Sequence, residues 1–123
     1  MQIESVHTIT SNVQQFLNQY IHVKCYICYN QDIQALYHVP TQDQQGYPPH
    51  HTNSNINFNY KNISNCSHSD LLKINLDRTI VIVSGTLEPI NKGETYPCPY
   101  MLLAKEVNIY VDKNDETTTT QIN

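Results

Sequence analysis

Apolar residues at Val13, Phe16, Leu17 and Tyr20 fall at the i, i+3, i+4, i+7 spacing that lines one stripe of a helix. The stretch SNVQQFLNQY is therefore expected to form a short lead-in helix, with Ser11 or Asn12 as N-cap and a Gln three residues on as capping-box partner. The period then changes to two. Ile21, Val23, Cys25, Ile27 and Tyr29 alternate with His22, Lys24, Tyr26 and Cys28, which predicts a strand with its odd-numbered face inward. Asn30-Gln31-Asp32 reads as a turn, residues 33–39 as the returning strand, and Pro40 as its end.

Residues 40–55 hold three of the six prolines, one of the three glycines and no aliphatic side chain, so they read as a loop too polar to pack. Alternation resumes in INFNYKNI, with Ile56, Phe58 and Tyr60 on one face of a third strand. SHSDLLKINL is expected to form a turn or two of helix, capped by Ser67 or Ser69. Five β-branched residues in a row, Thr79 to Val83, suit a strand buried on both faces. Gly85 within that strand marks a bulge or sharp bend. A second turn-rich loop, 90–99, leads to a last strand in YMLLAKEVNIYV with a bend near Ala104.

The order is helix, three strands, short helix, two strands, without the strand–helix alternation of a parallel sheet. That is the element order of an all-β domain of the OB type, a five-stranded Greek-key barrel with an N-terminal helix and a short helix between strands three and four. The chain divides accordingly into an N-terminal extension (1–10), one barrel domain (11–111) and a flexible polar tail (112–123), a size that suits one core.

Composition narrows the chemistry. Net charge is −4 with seven Lys plus Arg, of which Arg78 is the single arginine, so a basic face that alone grips duplex DNA or anionic membrane is not expected. Fourteen Asn and ten Gln carry little functional weight, since such bias can follow genome composition. The N-terminus shows no basic-then-apolar leader and the longest apolar stretch lies near Ile80–Val83, so a soluble intracellular domain with four free thiols is expected.

Cys25 and Cys28 form a C-x-x-C, but positions three apart on a strand face opposite ways and cannot converge on one metal. No nucleophile motif accompanies the histidines and the glycines are scattered, so neither catalysis nor a cofactor is expected. On an OB barrel, single-stranded nucleic acid stacks on aromatic side chains of the outer face. This makes Tyr26, Tyr37 and Tyr60, with Lys24 and Lys61, the nucleic-acid candidates. Leu71, Leu72, Met101 and Leu103 are the candidate apolar anchors for a protein partner.

The motif order resembles the small OB subunits of single-stranded-DNA-binding complexes, above all the smallest subunit of replication protein A and its telomere-dedicated relatives. VQQFLNQYIHVKCYI is similar to that family's helix ending in a "QF" turn before the first strand, and VIVSGTL to its glycine-bearing fourth strand. The likeness covers roughly residues 11–111. It implies a nuclear, chromosomal or telomeric subunit of a heterotrimeric complex, associated with telomerase or lagging-strand polymerase. It also implies one or more larger OB-fold partners, single-stranded DNA reached mostly through them, and no membrane. The family's C-terminal helix has no counterpart in DKNDETTTTQIN. That shifts the expectation toward the smallest subunit of the CST telomere-capping complex, which docks chiefly through its barrel. QQFLNQYI and VIVSGTL also resemble landmarks of the nuclear-transport-factor-two-like adaptors, cone-shaped dimers whose fold would require a helix within the proline-rich residues 40–55.

Overall fold

The computed structural model describes residues 2–40, 55–90 and 100–111. Among them 47% are in strands and 23% in helices, so the protein is mostly β. The elements run β1 (Ile3–Ser5), α1 (Val6–Ser11), α2 (Val13–Phe16), β2 (Tyr20–Tyr29), β3 (Gln34–Tyr37), β4 (Asn55–Asn59), α3 (His68–Asp77), β5 (Val81–Pro89) and β6 (Tyr100–Ile109). The long loop's residues 41–54, the second loop's 91–99 and the tail 112–123 lie outside the described residues, as does any helix within 41–54.

β2 is long enough to serve several neighbours. Its residues 20–25 pair antiparallel with β5, while residues 26–29 pair antiparallel with β3. β3 continues antiparallel to β4, β4 runs parallel to β6, and β6 returns antiparallel to β5. Strand pairing thus travels round a ring and gives a small barrel-like structure. Its interior is filled by the residues of the predicted alternation: Ile21, Val23, Cys25, Ile27 and Tyr29 are all buried, against Leu36, Ile56, Phe58, Val83, Leu87 and Leu102. Each such aliphatic or aromatic side chain taken from water contributes about 1.5–3 kcal/mol.

Residues 3–10, expected to be an extension, belong to the fold. β1 adds parallel to β2 at residues 22–24, and Val6 and Ile9 of α1 are wholly buried in the core. α1 is a helix that the apolar stripe from Val13 onward does not predict, and Ser5 caps it: its Oγ accepts from the Thr8 N–H at 3.0 Å. The predicted helix is α2: it starts at Val13 behind Asn12 as expected but ends at Phe16, and the Asn12 side chain makes no capping hydrogen bond, its amide donating instead to the Thr8 carbonyl at 2.9 Å. Tyr20 leaves the helical stripe to start β2 and is half exposed.

Gly85 does mark a bulge. Ser84 pairs with Glu106 and Gly85 with Ala104, so Lys105 is an extra residue on β6, beside the expected bend. The extra residue resets the inward phase of β6 from Leu102 and Ala104 to Val107. The segment after β4 closes the gap: Ser64 donates its N–H to the Lys105 carbonyl at 2.9 Å, and the Asn65 amide exchanges two 3.0 Å hydrogen bonds with the Val107 backbone. One of the many asparagines therefore stands in for a strand partner.

α3 is longer than expected. A capping box joins Ser67 and Asp70 at its start, and Leu71 with half-buried Ile74 forms its inward stripe. At its end the Arg78 N–H bonds to the Asn75 carbonyl and the Thr79 N–H to the Ile74 carbonyl, with Arg78 itself left-handed at φ 56°. This is a Schellman termination, whose left-handed residue is usually glycine because a Cβ there costs about 1–2 kcal/mol.

Candidate functional site

The even-numbered side chains of β2 face away from the core, and register decides which of them meet. Tyr26 lies opposite Tyr37 and Cys28 opposite Ala35, so the two tyrosines stand side by side on the outer face of β2–β3. α3 is pinned next to them by Asn75, whose Oδ1 accepts from the Tyr29 N–H at 2.8 Å. Between the strand pair and the helix end runs a groove of about 400 Å³. Tyr26, Tyr37 and Cys28 line one side, Asn75, Leu76 and Arg78 the other, with Ile27 between. Leu76 is 80% exposed, more than any other large apolar residue described.

Burial raises the Cys28 thiol pKa, and burial followed by the neighbouring Cys28 raises that of the Tyr37 phenol. Both are neutral at physiological pH, and Arg78 supplies the only formal charge among the lining side chains. The groove offers aromatic and aliphatic surface next to one planar cation, a combination suited to binding. Cys25, by contrast, points into the core and is fully buried, so the two thiols of the C-x-x-C face opposite sides of β2. Among the described residues no group of His, Cys, Asp or Glu is arranged to hold a metal ion, and no helix is long and apolar enough to cross a membrane.

The five nucleic-acid candidates are not brought together. Tyr26 and Tyr37 share the groove, whereas the Lys24 ammonium sits 4.2 Å from the centre of the Tyr110 ring, a cation–π contact. Tyr60 lies just past β4, more exposed than its place in the alternation implies, with its ring edge-on to Tyr29 at 5.2 Å. Lys61 is exposed in the following turn, its N–H bonded to Asn59 Oδ1 at 2.9 Å. Tyr60 instead joins Leu72, His68 and Gln34 around a second hollow of about 390 Å³. There the Tyr29 hydroxyl and His68 Nδ1 are 2.5 Å apart.

Of the partner anchors, Leu72 is 42% exposed and Met101 and Leu103 are half-buried on β6. Leu71 must be withdrawn: at 1% exposure it belongs to the core, because α3 turns that side chain inward and its sequence neighbour outward. The residues that sequence reasoning did not single out are Asn75, Leu76 and Arg78. Two signals for them were present: Leu76 falls off the Leu71–Ile74 stripe, and Arg78 is the single arginine.

Comparison of the chain with models of known protein families gave no match, and comparison with curated proteins gave none.

Proposed function

We propose that the chain is a non-catalytic OB-fold subunit of a telomeric or replicative single-strand-binding complex, acting mainly by binding a larger OB-fold partner. The observation that carries this reading is strand order. β5-β2-β3-β4 lie side by side, each antiparallel to the next, with β6 completing the ring, which supports a Greek-key reading, since a Greek key would order four such strands 4-1-2-3. α3 occupies the connection between the third and fourth strands of that ring, where the OB pattern has its helix. Charge supports the division of labour: with net −4 and scattered lysines, the chain neutralises few phosphates, so single-stranded DNA is held mostly by the partner. A nuclear, chromosomal location in a heterotrimer, tied to telomerase or polymerase, belongs to the same proposal.

The test is affinity purification of the tagged full chain from cells that express it, with identification of co-eluting chains. A larger OB-fold chain is expected, and Leu72→Ala or Met101→Ala should weaken its recovery while strand-dominated circular dichroism is retained. A chain recovered as a monomer, or as a homodimer of the transport-factor-like kind, overturns the proposal.

A further inference from the structure

We infer that the groove between the outer face of β2–β3 and the last turn of α3 grips a partner segment carrying an aromatic or aliphatic side chain beside a carboxylate. This rests on the subunit reading above and adds a second contact to the Leu72 and Met101 anchors named there.

The first support is what lines the groove. Protein interfaces are enriched in Tyr and Arg and depleted of Lys, Glu and Asp at their centres. The chain carries eleven acidic residues, yet no Asp, Glu or Lys lines this groove, while two tyrosines and the single arginine do. Leu76, 80% exposed at the lip, is the apolar surface that a bound segment would cover.

The second support is the backbone and surroundings of that arginine. Arg78 occupies the left-handed position that ends α3, at φ 56° and ψ 43°, where glycine avoids the strain that a Cβ introduces. Left-handed non-glycine residues cluster at ligand clamps and other functional sites. Among the described residues the guanidinium has no carboxylate partner, and no carboxylate lines the groove to answer it. An arginine that meets no carboxylate among the described residues, set beside apolar surface, is the complement of an acidic, apolar segment. Nucleic acid fits less well, since gripping a strand through its phosphates takes several cations and the groove has one.

The experiment is a random-peptide display selection against the purified full chain, followed by titration of a synthetic representative. Enriched peptides are expected to carry Asp or Glu within about three positions of a Phe, Tyr, Leu or Ile. Binding should fall about tenfold with Arg78→Glu and with Leu76→Ser, and replacing the peptide's acid by Lys should restore binding to Arg78→Glu. Arg78→Gly separates fold from binding: its urea midpoint should equal or exceed wild type while peptide affinity drops about tenfold. Selected peptides without an acid, or binding indifferent to Arg78→Glu, overturn the inference. So does a ten-residue oligothymidylate that binds more tightly than the peptides with the same dependence on Arg78. A larger OB-fold chain that co-purifies undiminished with the Arg78→Glu and Leu76→Ser variants refutes the groove and leaves the subunit reading standing. Acid-dependent peptide binding without any larger OB-fold chain in the purification refutes the subunit reading instead.

Discussion

Gly85→Ala probes the joint that closes the ring. At Gly85 the bulge brings β6 so near that an added Cβ would fall on the Leu103 carbonyl oxygen, 2.8 Å from that carbonyl's carbon and 2.9 Å from the Ala104 Cα. Carbon atoms in contact prefer about 3.5–4.0 Å, so β5 and β6 must separate by roughly an ångström, and the obstacles are backbone atoms that no rotamer change relieves. Overpacking of this kind costs about 1–3 kcal/mol. One ladder hydrogen bond stretched on each side of the bulge adds about 0.5–1.5 kcal/mol apiece, for a total of about 2–6 kcal/mol. With a urea slope of about 2 kcal/mol per molar, the unfolding midpoint should fall by about 1–3 M, followed by far-UV circular dichroism. A midpoint within about 0.3 M of wild type would refute the reasoning, because the strands would then have room that the register denies them.

Adjacent leucines on α3 should differ sharply: Leu71→Ala should cost about 2–5 kcal/mol in the same assay, and Leu72→Ala less than about 0.5. In a Cys98→Ser background at pH 8, Cys28 and Cys66 should label more slowly than a free thiol, since burial raises both pKa values, and faster as pH rises. Cys25, fully buried and pushed well above the ordinary thiol range by desolvation, should label only as fast as the molecule unfolds, and equal labelling of all three in native protein would contradict the packing. The Ser67 backbone N–H and hydroxyl hold the Asp70 carboxyl below its usual pKa. A carboxylate lowered in the folded state stabilises above its unfolded pKa of about 3.9 and loses that contribution as pH falls through the folded value. The midpoint gap between wild type and Asp70→Ala should therefore be full at pH 7 and shrink in acid, and a gap unchanged at pH 2 would argue against the capping box.

The amide-rich composition that reads as weak information in the sequence proves structural at particular places. Asn30 Oδ1 accepts two backbone N–H groups in the β2–β3 turn, Asn75 ties α3 to β2, and Asn65 completes the ladder beside the bulge. Each role depends on a partner far along the chain or on one bend of the backbone, so composition alone could not distribute them. The groove was legible by halves. Tyr26 and Tyr37 announce themselves as outward aromatics on predicted strands, but Leu76 and Arg78, about fifty residues away, reach them only once α3 is laid against β2.

Local sequence by itself determined the inward face of β2 and the presence of five of the six described strands, and it narrowed the α3 cap to Ser67 or Ser69 and marked a bulge or bend at Gly85. These are short-range properties: side-chain direction follows from the dihedrals of a few residues, and a glycine within a β-branched run has few other uses. Tertiary structure alone decided that β1 and α1 belong to the core, that Leu71 is inside and Leu72 outside, and that the helix end meets the paired tyrosines. Those outcomes turn on which segments share a surface, and burial is a property of two elements together rather than of either one.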